Sequence, residues 1–92
     1  MSQELPSSLR LRVITSRSLL ADTDVDEVTL PSLEGYLGVL PGHRELFTAL
    51  GSGVLTYRRG DQGESFRVQG GYAEVGPELV VVFTELSEDE EE

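Results

Sequence analysis

The sequence contains no cysteine and no lysine, and its only histidine is His43. Without cysteine, the chain can form neither a disulfide framework nor a thiolate zinc site. The phosphate-binding loop of the type Gly-x-x-x-x-Gly-Lys-Ser/Thr needs a lysine, so this class of nucleotide site is excluded too. One histidine cannot make a multi-histidine metal site, and no neighbouring residue is marked as a nucleophile for it to activate. We therefore expect His43 to be a turn histidine that hydrogen-bonds to backbone.

Long apolar runs and an excess of positive charge are also missing. No stretch approaches the ~20 apolar residues that a membrane-spanning helix needs, and residues 1–8 resemble neither a secretory signal nor an Arg-rich transit peptide. The seven basic residues are all Arg and face 17 acidic residues, which gives a formal net charge of −10. This balance disfavours nucleic acid and anionic lipid as direct partners. Any association with a membrane would therefore run through another protein.

The 92 residues are enough for one domain. Short runs of alternating apolar and polar residues are separated by Gly and Pro, and no segment has a convincing helical period. This pattern predicts an all-β fold, a small β-sandwich of short, mostly antiparallel strands. The predicted strands are residues 9–14, 18–21, 25–30, 36–40, 46–50, 53–58, 64–69, 72–75 and 79–83, of which the last is apolar throughout and is expected to be buried.

Three further predictions concern the ends of the domain, one turn and one acidic loop. Residues 1–8 are expected to be a flexible leader and residues 87–92 a disordered acidic tail, with the sandwich between them at residues 9–86. Pro41 and Gly42 fit the two central positions of a type II turn. Residues 22–27 carry four acids in alternation, but they lack the central Gly and the twelfth-position Glu of a calcium loop, so we predict a solvated strand side and no metal.

Two motifs resemble a known family. Residues 30–43 read Leu-Pro-Ser-Leu-Glu-Gly-Tyr-Leu-Gly-Val-Leu-Pro-Gly-His, and residues 68–75 read Val-Gln-Gly-Gly-Tyr-Ala-Glu-Val. Together they resemble the epsilon subunit of F-type ATP synthases, whose mitochondrial counterpart is called delta. The resemblance covers residues 9–86 and implies the amino-terminal β-sandwich domain of that subunit. The family's carboxy-terminal helical hairpin, which binds nucleotide in some members, would begin where this chain becomes acidic, so we expect neither hairpin nor nucleotide site.

The resemblance implies a non-catalytic central-stalk (rotor) subunit of a proton-translocating F-type ATP synthase. Such a subunit docks the gamma subunit to the c-ring and couples ion flow to ATP synthesis, here at the cytoplasmic face of a bacterial plasma membrane. It is peripheral to the membrane and uses no cofactor, metal, nucleic acid or small-molecule substrate. The matching positions for the gamma interface are Thr15, His43 and Thr48. Those for the c-ring interface are Glu34, Gly35 and Tyr36, the last standing where many members carry a second acid.

Other classes of function stay open at this point. A free-standing β-sandwich module that binds a peptide or a sugar would need exposed aromatic residues, and the three tyrosines, Tyr36, Tyr57 and Tyr72, do not cluster in sequence. A small hydrolase would have to rely on His43. The Arg-Gly-Asp triplet at residues 59–61 could suggest an adhesion motif, but a polar hairpin uses the same residue types for turn geometry.

Overall fold

A computed structural model describes residues 7–87 and folds them into nine β-strands. The strands are β1 (Leu9–Ile14), β2 (Leu19–Val25), β3 (Glu27–Ser32), β4 (Gly35–Val39), β5 (Leu46–Ala49), β6 (Ser52–Arg59), β7 (Gln62–Gln69), β8 (Tyr72–Val75) and β9 (Leu79–Phe83).

The strands form two sheets with the orders β2-β1-β9-β8-β5 and β4-β3-β6-β7. Every pairing within the sheets is antiparallel except that of β1 with β9, which is parallel. The predicted all-β sandwich is confirmed. Within residues 7–87 no helix is long and apolar enough to cross a membrane.

Apolar and polar residues alternate along the strands, and the apolar ones form the core between the two sheets. In β1, Leu9, Leu11 and Val13 are fully buried, whereas Arg10 and Arg12 point out of the sandwich. Burying a Leu or Val side chain stabilises the fold by about 1.5–3 kcal/mol. A slip of one residue would turn this buried set toward solvent, so the alternation also fixes the register of the strands.

The predicted type II turn is present at Leu40–His43. The His43 N–H donates to the Leu40 carbonyl at 3.1 Å, and Gly42 has a φ of 90°, which is the left-handed value that this turn requires. The Gly42 N–H donates in turn to the Pro77 carbonyl at 2.8 Å. The turn before β5 is thereby fastened to the turn between β8 and β9.

The chain passes from one sheet to the other at Gly70–Gly71, between β7 and β8. Gly71 has a φ of 102°, and a Cβ on it would overlap the Phe83 carbonyl oxygen. The Leu50 N–H donates to the Gly71 carbonyl at 2.9 Å, and the Thr84 hydroxyl donates to the Gly70 carbonyl at 2.6 Å. Glycine is required at position 71 because the backbone of a neighbouring strand occupies the space of a side chain.

The structure corrects the sequence-based predictions in several strands, and β3 spans Glu27–Ser32 where residues 25–30 were predicted. β2 continues to Val25, so Asp22 and Asp24 lie on its outer side and not beside the third strand. The prediction that residues 79–83 are buried throughout is wrong, because only Val80 and Val82 face the core. The other three side chains of β9 lie on the outer face of the sheet.

The segment after β9 runs along the edge of β7. Leu86 forms an isolated bridge with Val68, and the Ser87 N–H donates to the Arg67 carbonyl at 2.9 Å. Most of the predicted acidic tail, residues 88–92, and most of the predicted leader, residues 1–6, lie outside the described residues.

Candidate protein-docking site

The hairpin between β3 and β4 presents the first group of predicted site residues. Its tip is Leu33 and Glu34, both exposed, whereas Gly35 and Tyr36 already belong to β4. Of the three residues that the family resemblance assigns to the c-ring interface, only Glu34 therefore lies at the tip. The Ser32 hydroxyl closes the turn by donating to the Gly35 carbonyl at 2.6 Å and accepting the Glu34 N–H at 3.2 Å.

Tyr36 folds back from this hairpin over the middle of its sheet. Its hydroxyl accepts the backbone N–H of Val54 on β6 at 3.0 Å. On the adjacent β3, Pro31 has no N–H to give, and its carbonyl accepts the Gly51 N–H at 2.8 Å. The Tyr36 hydroxyl thus serves as the acceptor where the β3–β6 ladder has ended. A Cβ on Gly53 would lie 2.6 Å from that hydroxyl, so the ring needs glycine beneath it.

An open groove of about 350 Å³ separates the hairpin from β5. We call it the hairpin groove. Thr48, predicted to face gamma, and Glu34, predicted to face the c-ring, both line it. The structure therefore brings one residue of each predicted interface to the same groove. The hairpin groove is lined by Ser32, Leu33, Glu34, Leu37, Leu46, Phe47, Thr48 and Ala49.

The three residues predicted to face gamma do not form one cluster. Thr15 lies in the turn between β1 and β2, where its hydroxyl accepts the N–H groups of Arg17 and Ser18 at 3.1 Å each. β9 and β8 separate β1 from β5, which places Thr15 about 14 Å of sheet width from Thr48. His43 precedes β5, at its opposite end from Thr48.

His43 behaves as the sequence predicted for a turn histidine. Its ring Nδ1 lies 2.7 Å from the Arg44 carbonyl oxygen, and the side chain is half-buried. A carbonyl oxygen only accepts hydrogen bonds, so Nδ1 is the donor in this contact. The ring is oriented by backbone.

The outer face of the five-stranded sheet carries apolar side chains that sequence reasoning missed. The ring of Tyr72 contacts those of Phe47 and Phe83, with centroid separations of 5.1 and 4.9 Å. Leu79 and Val81 continue the surface on β9. We call Phe47, Tyr72, Leu79, Val81 and Phe83 the aromatic face. The sequence of residues 79–83 could have predicted this surface, because a strand that is apolar at every position has two apolar faces.

The other half of that outer face is charged. The Arg10 Nε lies 2.8 Å from a carboxylate oxygen of Asp22, and Arg10 and Arg12 also contact Asp24 and Asp22 at 3.2 and 3.3 Å. The hydrogen bond from Arg10 lowers the pKa of Asp22, and the same contact raises the pKa of Arg10. The acids of the predicted solvated side are thus engaged by arginines. Among residues 7–87 no three His, Cys, Asp or Glu side chains are placed to hold a metal ion.

The Arg-Gly-Asp triplet lies where β6 turns into β7. The Arg59 guanidinium donates to the Thr23 hydroxyl at 2.7 Å, and the Gly60 N–H donates to the Asp26 carboxylate at 2.7 Å. These bonds fasten the hairpin to β2 and to the residue between β2 and β3. The Arg-Gly-Asp triplet therefore has a structural role, because it holds the β6–β7 hairpin in place.

Residues 8–89 match the family model described as the ATP synthase, Delta/Epsilon chain, beta-sandwich domain. The chain belongs to this family. It is 39% identical over 87 residues to the ATP synthase epsilon chain of Moorella thermoacetica, covering 94% of this chain and 65% of that relative. It is 42% identical over 88 residues to the epsilon chain of Solibacter usitatus, covering 96% and 66%. The chain thus spans just under two-thirds of the length of these relatives.

The same sandwich fold is also found in solved structures. A chain of the Euglena gracilis mitochondrial ATP synthase, from a structure of OSCP, F1 and the c-ring, matches with a TM-score of 0.83 and 24% identity, over 91% of this chain and 54% of that one. A chain of the central stalk and c-ring of the Tetrahymena thermophila mitochondrial ATP synthase matches with a TM-score of 0.70 and 17% identity, over 84% and 63%. At these identities the likeness supports the fold.

Proposed function

We propose that this chain is a non-catalytic central-stalk (rotor) component of a proton-translocating F-type ATP synthase, linking the gamma subunit to the c-ring and coupling ion flow to ATP synthesis. The observation that carries the proposal is the match of residues 8–89 to the delta/epsilon β-sandwich family, whose relatives here are named ATP synthase epsilon chain. This membership favours a rotor component over a free-standing peptide- or sugar-binding module and over a small hydrolase.

In this proposal the role of the domain is mechanical. The gamma subunit binds at Thr48, with Thr15 and His43 at the margins of the contact, and the c-ring binds at Glu34, Gly35 and Tyr36. The hairpin groove supports this arrangement, because it places Thr48 and Glu34 along one concave surface. Partners on the two sides of the groove would be held close together by the paired strands beneath them.

The proposed location is the cytoplasmic face of a bacterial plasma membrane, with the chain held there by the other subunits. The two relatives come from the bacteria Moorella thermoacetica and Solibacter usitatus. The formal net charge of −10 supports attachment through protein and not through anionic lipid.

Calorimetry with the cognate gamma subunit tests the proposal. Thr48→Arg puts a bulky charge into the hairpin groove, where a docked partner would desolvate it. Thr56→Arg is the matched control, since Thr56 is also half-buried but lies on the four-stranded sheet. We expect binding by the wild type in the presence of a chelator, at least a tenfold weaker affinity for Thr48→Arg, and an unchanged affinity for Thr56→Arg.

Circular dichroism of both variants serves as the folding control. A folded wild-type protein without affinity for gamma would contradict the rotor proposal. Normal binding by Thr48→Arg would contradict only the placement of the gamma surface.

A further inference from the structure

The turn between β1 and β2, residues 15–18, pairs most of its amides from within. The Thr15 N–H donates to the Ser18 carbonyl at 2.8 Å, and the Thr15 hydroxyl oxygen accepts the N–H groups of Arg17 and Ser18 at 3.1 Å each. The Ser16 N–H is the amide that these bonds leave over. It therefore needs a partner outside the turn.

Glu85, 69 positions further along the chain, supplies that partner. A carboxylate oxygen of Glu85 accepts the Ser16 N–H at 3.1 Å. Among residues 7–87 this is the only hydrogen bond that joins residues 15–18 to a distant part of the chain. A hydrogen bond to a charged acceptor is stronger than one between neutral groups. The position of the turn thus depends on one carboxylate.

The backbone that carries Glu85 is fixed on both sides. The Thr84 N–H donates to the Ile14 carbonyl at 3.0 Å, and the Gln69 N–H donates to the Glu85 carbonyl at 2.9 Å. Thr84 is only 5% exposed, and its hydroxyl donates to the Gly70 carbonyl at 2.6 Å. A side chain that projects from such a support can hold its partner in a defined geometry.

An open groove of about 250 Å³ lies beside the turn. Thr15, Ser16, Phe83 and Glu85 are among the residues that line it. The tip of the turn is therefore not packed against the sandwich, and residues 16–18 are exposed. Because few packing contacts hold the tip, we expect its orientation to change when the hydrogen bond from Ser16 to Glu85 is lost.

Arg17 is the charged side chain that the turn presents. It makes no ion pair within residues 7–87, whereas both arginines of β1 do. Leu19, close to it, is 55% exposed. The Thr15 hydroxyl is occupied inside the turn, since it also donates to the Ser18 carbonyl at 3.3 Å. The group with which this turn can bind a partner is therefore Arg17, whose charge complement is an acidic group.

We propose that Glu85 is a positioning residue for the gamma contact. By holding the Ser16 N–H, it sets the β1–β2 turn so that Arg17 pairs with an acidic group of the gamma subunit. This inference rests on the proposed function, in which Thr15 lies at the margin of the gamma contact. It adds that Arg17 makes the contact at this margin, and that Glu85 acts on the affinity without touching the partner.

Hydrogen exchange tests the contact inside the protein and needs no partner. Glu85→Ala removes the acceptor, whereas Glu85→Gln keeps a side-chain oxygen that can accept the Ser16 N–H. Glu78→Ala is the matched control, since Glu78 is also exposed and lies at the other end of β9. We expect exchange at the Ser16 amide to quicken at least threefold in Glu85→Ala and to stay within twofold of the wild type in the other two variants. Unchanged exchange in Glu85→Ala would overturn the inference.

Calorimetry with the cognate gamma subunit tests the consequence for binding. We expect Glu85→Ala and Arg17→Gln each to weaken the affinity at least fivefold, and Glu85→Gln and Glu78→Ala to leave it within twofold of the wild type. The double variant Glu85→Ala/Arg17→Gln should bind no more weakly than Arg17→Gln alone, because Glu85 acts through Arg17. If Glu85 only supported the fold, its loss would lower the affinity equally with and without Arg17.

The outcomes separate this inference from the proposed function. Binding of the wild type to gamma together with normal affinity of Glu85→Ala would overturn the inference and leave the proposed function standing. Equal losses of affinity in Glu85→Gln and Glu85→Ala would overturn it as well, since the charge would then matter and not the hydrogen bond. Full additivity in the double variant would do the same. A folded wild-type protein that does not bind gamma would overturn both.

Discussion

Tyr36 shows how one residue can be both on the surface and part of the framework. Its ring is 62% exposed at the hairpin proposed to meet the c-ring, and its hydroxyl accepts the Val54 N–H. The sequence indicated an interface position for Tyr36 only through the family resemblance, which assigns it to the c-ring contact. It gave no sign of the hydrogen bond, since Val54 is 18 residues away and the need for an acceptor arises from Pro31 on a third strand.

Replacing Tyr36 with Phe should free the Val54 amide while leaving the fold intact. The hydroxyl is at the surface, where water can take its place, so the loss of stability should be about 1 kcal/mol or less. The informative measurement is hydrogen exchange at the Val54 amide, which we expect to quicken. Tyr72→Phe is the control on the other sheet. Unchanged exchange at Val54 in Tyr36→Phe would show that the hydrogen bond does not protect it.

Gly71 is the residue at which we expect the largest effect of a single methyl group. Gly71→Ala combines a left-handed φ of 102° with overlap between the new Cβ and the Phe83 backbone. The expected loss of stability is roughly 3 kcal/mol or more, measured by urea denaturation. Gly76→Ala is the matched control, since its Cβ would make an ordinary contact of 3.5 Å with the Leu79 carbonyl. A similar midpoint for both variants would contradict the account of this corner.

At the scale of the elements, the β1–β2 pair combines a buried apolar side with an outer side of paired charges. Arg10 lowers the pKa of Asp22 below its ordinary value of 3.8. A carboxylate with a lowered pKa in the folded state binds fewer protons there than in the unfolded state, so it stabilises the fold above its unfolded pKa. That contribution disappears as the pH falls through the folded pKa.

We therefore expect Asp22→Asn to be less stable than the wild type at neutral pH, with a difference that disappears on acidification below about pH 4. Thermal unfolding at a series of pH values measures it. The effect should be small and should shrink with added salt, because the pair is at the surface. Asp61→Asn, in the exposed turn between β6 and β7, is the control and should track the wild type. If Asp22→Asn were less stable than the wild type by the same amount at every pH, the loss of stability would have a cause other than the charge of Asp22.

Strand bounds were predicted correctly where the residue pattern within the strand itself determines where the strand begins and ends. The predicted bounds of β1, β8 and β9 agree with the structure. In each of these strands, a run of alternating apolar and polar residues or a continuous apolar run ends at turn residues. β2 was predicted too short, because its polar half is held by cross-strand partners on β1 that lie 10 to 14 residues away. Such pairings depend on topology and leave little trace in a local pattern.

At the scale of the whole molecule, the sequence predicted the sandwich and, through its two motifs, the family. It did not predict the candidate site as a surface. The aromatic face draws Phe47, Tyr72 and Phe83 from three strands separated by up to 36 positions in the numbering. The hairpin groove likewise joins Glu34 to Thr48 across the two sheets. Which distant strands become neighbours is set by sheet order, which a single sequence does not encode locally.

The central claim, that this delta/epsilon domain works in the rotor of an ATP synthase, is tested most directly by co-purification from its own cells. An amino-terminally tagged chain would be isolated in mild detergent and its companions identified by mass spectrometry. The proposal predicts the gamma subunit and the c-ring in amounts comparable to the chain itself. Recovery of the chain alone, while an intact ATP synthase that lacks it remains in the unbound fraction, would contradict the proposal.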